Sequence, residues 1–199
     1  MRCPRPFDLA RATAILDGAG WVRGADGIRT RKSTRLELQF VLGAASSEAD
    51  RVVELIRAWS SKIAIALNVK HYPSSALFAP YEDRGIIFRG AFDVAYFNVG
   101  VDAFGDFSTH YTCDQIPPAG QNDLRWCSRR ATAAMYDLFR QYTPEGRRRD
   151  DAILMAELRH DVPTIITLIP NANFIFNSDL RGFHRGAITS FDNMMNVDI

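Results

Sequence analysis

Apolar residues in the first half of the chain recur at two different periods, which predict strands and helices in alternation. Every second residue is apolar from Leu36 to Leu42, and this period of two indicates a strand over residues 36–42. Residues 52–59 instead carry an apolar face at helical spacing, and residues 63–69 return to a strand pattern. A strand, a helix and a second strand in succession normally form a right-handed crossover with parallel strands. The pattern therefore predicts an α/β fold with a βαβ core.

Capping residues mark where two of the predicted helices begin. Asp8 precedes a helical repeat that ends at Gly18, and an acidic side chain of this kind can accept hydrogen bonds from the first free N–H groups. Thr143 followed by Pro144 indicates a cap and a first turn, with the helix running to about His160. Both helices are thus expected to start at a defined residue.

Other apolar segments are assigned from their length and from the breaker residues within them. Residues 130–142 are predicted to be helical, whereas Pro80 and Gly85 interrupt a helical pattern over residues 74–88. Three further apolar runs, residues 92–101, 163–169 and 174–176, are predicted to be strands. The expected sheet contains the strands at 36–42, 63–69 and 92–97.

The composition narrows the classes of partner. The chain has 199 residues, of which 47% are hydrophobic, and this length matches one ordinary domain. Its 24 Lys and Arg balance 23 Asp and Glu, so charge gives no reason to expect nucleic acid or an anionic membrane. No stretch approaches the roughly 20 consecutive apolar residues of a membrane-spanning helix. The three cysteines and four histidines show no zinc spacing, so neither a metal nor a cofactor is expected.

Motifs that carry catalysis are missing from the sequence. It contains no GxSxG, HExxH or GxxxxGK[ST], and no GxGxxG follows a predicted strand. His71, His110, His160 and His184 are scattered singly, as surface or core histidines usually are. The sequence therefore predicts a binding protein and not an enzyme.

Short segments spread through the chain carry a family resemblance. Residues 7–21, FDLARATAILDGAGW, resemble the pattern DPxKAxxLLxxAGW, and residues 26–29 read DGIR. Residues 90–94 resemble GDFDM, residues 122–126 resemble NxxxY, and residues 161–165 resemble the start of EDVPVIPL, before residues 179–183 resemble xxVKGF. In this order and spacing the motifs are similar to those of family 5 extracellular solute-binding proteins, the dipeptide-, oligopeptide- and nickel-binding components of ABC transporters.

The resemblance implies a type II periplasmic-binding fold made of two lobes. Residues 1–186 would form the second lobe, with residues 161–186 including the strands that return toward the first lobe. Residues 187–199 would be a tail that belongs to or contacts the first lobe. Because members of the family are much longer than this chain, an N-terminal lobe is expected to be missing.

The same resemblance implies a function in transport. The protein would capture peptides or similar small solutes in the periplasm or outside the cell and deliver them to the membrane permease of an ABC transporter. Its expected partners are the solute, the permease and the missing N-terminal lobe, with no nucleic acid. The alternative is the ligand-sensing domain of a transcriptional regulator that uses the same binding fold. A helix-turn-helix or a signal peptide in the preceding sequence would discriminate between them.

The loop after the third predicted strand holds the candidate ligand residues. It resembles the family segment WxADYxDP, in which the first Asp commonly pairs with the α-amino group of a peptide, and Asp102 occupies that position. A carboxylate beside a buried strand can bind an ammonium group strongly where water is excluded, although a simple loop-capping role explains Asp102 as well. The other candidates for the ligand site are the loop residues Val99, Gly100 and Asp106 and the later Asn122 and Trp126. Asp106 is equally explained as a turn residue, and Trp126 as a residue packed under the late helices.

The extracytoplasmic family resemblance also implies a disulfide between Cys113 and Cys127, which bracket a loop that contains Pro117, Pro118 and Gly120. Two buried free thiols are the alternative. Cys3 would be left over, with any partner in the missing lobe.

Overall fold

The computed structural model describes residues 6–44, 47–100, 106–169, 175–184 and 194–198. These residues divide into two compact units, where the chain length suggested one. The first unit holds the described residues up to Asn98 together with Asp114–Arg125, and the second holds the others. Asp102 and Cys3 lie outside the described residues.

The first unit begins with the helix that the Asp8 cap predicted. Helix α1 spans Leu9–Gly18, and the Asp8 side chain accepts a hydrogen bond from the Arg11 N–H at 2.9 Å. A small antiparallel sheet follows, made of β1 (Val22–Arg23), β2 (Arg29–Arg31) and β3 (Thr34–Arg35) in that order. The sequence analysis missed these strands because two or three residues are too few to establish a period of two.

Arg29 joins three parts of this unit although it is almost fully buried. Its guanidinium donates to the Asp17 carboxylate and to the Trp21 carbonyl, both at 2.5 Å, and to the Ile63 carbonyl at 2.9 Å. A buried guanidinium is tolerated when its donors are satisfied in this way. The side chain thus ties β2 to the end of α1 and to the segment after the next helix.

The central sheet confirms the predicted βαβ core. It contains β4 (Glu37–Gly43), β5 (Ala66–Tyr72) and β6 (Val94–Tyr96), all parallel, in the order β5-β4-β6. Helix α2 (Ser47–Lys62) makes the crossover between β4 and β5. The three predicted strands therefore share one sheet. Compared with the predicted starts, β4 begins one residue later, β6 two residues later and β5 three residues later.

Apolar side chains cover both faces of β4. Phe40 and Leu42 pack with Val53 of α2, while Val41 points the other way and packs with Leu77 and Ile87. The last two residues lie on short helices, α3 (Ser74–Leu77) and α4 (Ile86–Arg89). The helical pattern over residues 74–88 is thus broken, as its Pro and Gly residues indicated. A Cβ on Gly85 would lie 1.7 Å from the Ala79 carbonyl oxygen, so only glycine fits there.

The second unit is built on an antiparallel helix pair that forms its core. Its helices are α5 (Ser108–Tyr111), α6 (Arg129–Leu138) and α7 (Pro144–Asp161). The Thr143 side chain caps α7 by accepting from the Gly146 N–H at 3.2 Å, which confirms the predicted start. Ala131, Met135 and Leu154 are buried together between α6 and α7. Helix α6 ends at Leu138, earlier than the predicted residue 142.

The predicted strand at residues 163–169 is wrong in this structure. The segment follows α7 as extended chain and forms no ladder within the described residues. A strand requires a ladder of hydrogen bonds to a neighbouring segment, and no ladder joins residues 163–169 to another described segment. Ile175 and Phe176 of the next predicted strand also belong to no ladder of described residues, and residue 174 lies outside the described ranges. Arg181 and Asp198 form an isolated bridge instead.

Candidate ligand-binding segments

The order of the parallel strands identifies one edge of the first unit as a candidate binding edge. Strand β4 connects through α2 to β5 on one side, and the next strand, β6, lies on the other side of β4. In open α/β sheets, ligands bind outside the carboxyl ends of the strands where the connections diverge. Here that point lies beyond the ends of β4 and β6, at Gly43 and Tyr96.

A hydrogen-bonded pair fixes the start of β6. The Asp93 carboxylate accepts from the Gln39 N–H at 2.7 Å, and the Gln39 side-chain amide donates to the Ala91 carbonyl at 2.8 Å. These bonds extend the ladder between β4 and β6 by side-chain contacts. They set the register in which β6 delivers the loop that follows it.

Polar and aromatic groups lie near the carboxyl ends of the strands. His71, near the end of β5, pairs with Asp50 in the first turn of α2 at 2.8 Å. Phe97, directly after β6, packs edge-on against Phe78 at 5.5 Å between ring centroids. The edge therefore offers an aromatic surface and an exposed histidine–carboxylate contact, features that suit a mixed polar and apolar solute.

The loop after β6 contains most of the predicted ligand residues. Val99 is 48% exposed, and a Cβ on Gly100 would meet no atom within 4 Å, so both are open to solvent. Asp106 accepts from the Ser108 N–H at 2.7 Å, as the turn interpretation predicted. Asp102 lies outside the described residues, so its role stays a prediction.

Asn122 belongs to the segment Asp114–Arg125 and is fully buried. Its backbone N–H donates to the Gln115 carbonyl at 2.7 Å, and its carbonyl accepts from the Arg125 N–H at 3.0 Å. The Arg125 guanidinium then donates to the Phe88 carbonyl at 2.8 Å. These contacts describe an ordered loop with Asn122 in its interior, and they favour a role in loop structure over direct contact with a solute.

Trp126 lies in the second unit, against the end of α7. Its indole N–H donates to the Asp161 carboxylate at 2.7 Å, and its ring meets Tyr111 edge-on at 6.2 Å between centroids. This hydrogen bond, together with that from His160, holds the pKa of Asp161 below its usual value. Trp126 thus packs under the late helices, as the alternative interpretation stated. No local pattern could indicate its partner Asp161, because the two residues are 35 positions apart.

Cys113 and Cys127 are joined by a disulfide, with their Cα atoms 4.7 Å apart. The bridge closes the segment that contains Asn122. No group of three or more metal-ligating side chains occurs among the described residues, and no described helix is long and apolar enough to cross a membrane.

No protein-family model matches the sequence. Solved structures match its fold closely, however. The oligopeptide-binding protein AppA from Bacillus subtilis, determined with a nonapeptide, superposes with a TM-score of 0.82 over 96% of this chain at 17% identity. NikZ from Campylobacter jejuni, determined with Ni(L-His), gives a TM-score of 0.74 over 97% of this chain at 14% identity.

This chain has the fold of part of a solute-binding protein. A third match, the periplasmic oligopeptide-binding protein of an ABC transporter from Thermotoga maritima with bound mannohexaose, gives a TM-score of 0.67 over 79% of this chain at 19% identity. The chain spans 37% of the AppA chain, 39% of the NikZ chain and 30% of the Thermotoga chain. The solute-binding fold expected from the family resemblance is therefore confirmed, and the chain accounts for well under half of it.

Proposed function

We propose that this chain is the C-terminal part of the substrate-binding component of an ABC transporter, and that the component captures peptides or similar small solutes outside the cytoplasm. The observation that supports this most is the superposition of 96% of the chain on an oligopeptide-binding protein with a TM-score of 0.82. The proteins it matches are binding proteins, which supports a binding role and no catalytic one for this chain. No observation favours the regulator alternative.

The class of solute follows from the loop after β6, not from the fold. The matched structures hold a nonapeptide, a nickel–histidine complex and a mannohexaose, so one fold accommodates solutes of very different chemistry. We propose a peptide because Asp102 occupies the position of a carboxylate that would pair with an α-amino group. Val99 and Gly100 are exposed beside it along the chain and would give the solute access.

The domain assignment is proposed on the same grounds. Residues 1–186 would belong to the second lobe, with residues 161–186 returning to the first lobe and residues 187–199 belonging to or contacting it. The exposed apolar residues Ile165, Ile166 and Ile169 support this, because their segment has a strand composition and belongs to no sheet among the described residues. Additional chain from a first lobe would supply the missing strands.

An extracytoplasmic location fits the disulfide, since disulfides persist in oxidising compartments and are rare in the reducing cytosol. The permease of the transporter would be the membrane partner.

Calorimetry on two proteins tests the proposal: this chain, and the product of the complete open reading frame. The complete protein should bind free-amine peptides, and this chain should bind them at least about tenfold more weakly, because half a cleft loses more than 1.4 kcal/mol of contacts. Asp102→Asn in the complete protein should weaken free-amine peptides and spare N-acetylated ones. Asp137→Asn, which removes an exposed carboxylate on α6 that is not a candidate for the ligand site, is the matched control and should change neither.

Equal affinity of the two proteins, or an unchanged peptide affinity in Asp102→Asn, would contradict the assignment of the cleft. Binding of a sugar or a nickel chelate in place of peptides would retain the transport function and overturn the peptide assignment.

A further inference from the structure

We infer that the Cys113–Cys127 disulfide is a thiol-exchange site, at which an external dithiol reduces the folded protein by attacking the sulfur of Cys127 and releasing Cys113. The two cysteines differ in access to solvent, since Cys127 is exposed and Cys113 is partly buried. Exposed disulfides are the labile or regulatory ones, whereas buried structural disulfides resist thiols. Attack is therefore directed at Cys127.

Thr132 prepares Cys113 to leave. The Cys113 N–H donates to the Thr132 hydroxyl oxygen at 3.1 Å, and the Thr132 hydroxyl donates to the Cys113 sulfur at 3.3 Å. A hydroxyl donor stabilises a thiolate more than a neutral disulfide sulfur, because hydrogen bonds to a charged acceptor are stronger. No hydrogen bond reaches the Cys127 sulfur within the described part of the chain. The asymmetry makes Cys113 the better leaving group.

The start of α6 adds to this asymmetry. Thr132 lies in the first turn of α6, where its own N–H donates to the Ser128 carbonyl at 2.9 Å. That turn has Arg129 and Arg130 and no acidic residue, and the positive end of a helix favours a nearby thiolate. One acidic group beside the turn is Glu157, whose carboxylate accepts from the Ser128 hydroxyl at 2.9 Å and from the Arg130 guanidinium at 3.4 Å.

The exchange balances with a dithiol as reductant. One thiolate of the dithiol attacks the Cys127 sulfur, the bond between the two cysteine sulfurs breaks, and Cys113 leaves as a thiolate that takes a proton from solvent. The second thiolate of the reductant then attacks its own sulfur in the mixed disulfide and releases the Cys127 thiolate. Two electrons pass to the protein, and the reductant departs as a disulfide.

Reduction would act on the loop that the bridge closes. With the disulfide intact, the two ends of residues 114–126 are joined covalently. After reduction the loop would depend on non-covalent contacts, including the Asn122–Gln115 backbone bond and the Arg125–Phe88 bond, against a larger loop entropy. The partner that fits this site is a thiol–disulfide oxidoreductase of the exporting compartment.

Trapping with glutathione tests the direction of attack. The full chain carrying Cys3→Ser, so that only the two bridged cysteines are present, is incubated with reduced glutathione under native conditions, acid-quenched and mapped by mass spectrometry. Glutathione should be found on Cys127 in excess over Cys113 by about tenfold or more, as the leaving-group difference requires. Glutathione mainly on Cys113, or equally on Cys113 and Cys127, would overturn the inference. This test leaves Thr132 unchanged.

A pair of matched variants tests the part of Thr132. Thr132→Val keeps the shape and removes the hydroxyl, and should slow reduction by dithiothreitol about three- to tenfold, while Thr132→Ser should keep the rate within about twofold. Circular dichroism verifies that both variants are folded. An unchanged rate in Thr132→Val shows that the hydroxyl does not assist and contradicts the proposed asymmetry.

The rate in dilute urea separates native exchange from reduction of unfolded chains. The rate should be independent of urea well below the unfolding transition. A rate that rises in step with the unfolded fraction would mean that the bridge is a protected structural one, and would overturn the inference.

Discussion

Two apolar segments of similar composition differ in structure: one is a buried strand, and the other is exposed chain outside any described strand. Strand β4, Glu37–Gly43, is the middle strand of the parallel sheet, and its Val41 and Leu42 are 0% exposed. Residues 163–169, PTIITLI, are at least as rich in strand-forming residues, and yet Ile165 and Ile166 are each 76% exposed. The two segments differ in what surrounds them and not in their intrinsic preference.

The comparison shows what completes a strand. β4 has β5 and β6 on its two edges, and the side chains of α2, α3 and α4 cover its faces. The segment 163–169 has apolar residues on both faces, as a central strand does, and it belongs to neither sheet of the described residues. A strand pattern in the sequence therefore leads to a strand only where other segments are present to pair with it and to cover its faces.

The largest expected difference between the two segments is in hydrogen exchange. Amides of β4 should exchange only by global or large-scale unfolding, with protection of roughly a thousandfold or more, whereas the amides of the exposed Ile165, Ile166 and Ile169 should exchange much faster. Exchange followed by mass spectrometry measures both segments in one experiment. If a first lobe is joined to this chain, as proposed, these isoleucine amides should become protected, and equal protection of the two segments in this chain would contradict the comparison.

Truncating one side chain in each segment should have unequal effects. Leu42→Ala removes a fully buried side chain and should lower the free energy of unfolding by about 2–5 kcal/mol. Ile166→Ala removes an exposed one and should change it by less than about 0.5 kcal/mol. Urea denaturation gives both values. A cost of several kcal/mol for Ile166→Ala would mean that the segment is packed in this chain after all.

The disulfide adds a third case to the comparison, because a covalent bond, and not packing or strand pairing, joins the two ends of residues 114–126. Replacing both Cys113 and Cys127 by Ser should lower the free energy of unfolding by about 3 kcal/mol, since the bridge spans 14 positions. Thermal unfolding measures the loss. Alkylation of both thiols in the untreated protein, without prior reduction, would show that the bridge is not formed.

The smallest effect is expected at the C-terminal end of α7, directly before the segment 163–169. The folded pKa of Asp161 is lowered by the hydrogen bonds from Trp126 and His160, so these bonds favour the carboxylate and the folded state above the ordinary pKa of 3.8. Their contribution is lost as the pH falls through the lowered folded pKa. Trp126→Phe removes the indole donor and should raise the pKa of Asp161 toward its ordinary value, as NMR titration would detect. An unaltered titration would contradict the Trp126–Asp161 bond.

The sequence by itself determined the elements whose signals are local. The period of two in β4, the apolar face of α2 and the pattern of β5 predicted a parallel βαβ core, because burial on a sheet or helix imposes those periods. Asp8 and Thr143 predicted two helix starts, because a cap is a contact between residues three apart. The family resemblance added the fold and the cysteine pair, which no period could indicate.

Only the tertiary structure decided the features that depend on distant partners. Three sets of hydrogen bonds join residues 8 to 35 positions apart: those of Arg29, that between Trp126 and Asp161, and those between Thr132 and Cys113. The type of a side chain does not specify which distant group it will contact. The same reason explains residues 163–169. Their composition favours a strand, but a β-strand forms only when a second segment pairs with it. No ladder to such a segment is present among the residues that the structure describes.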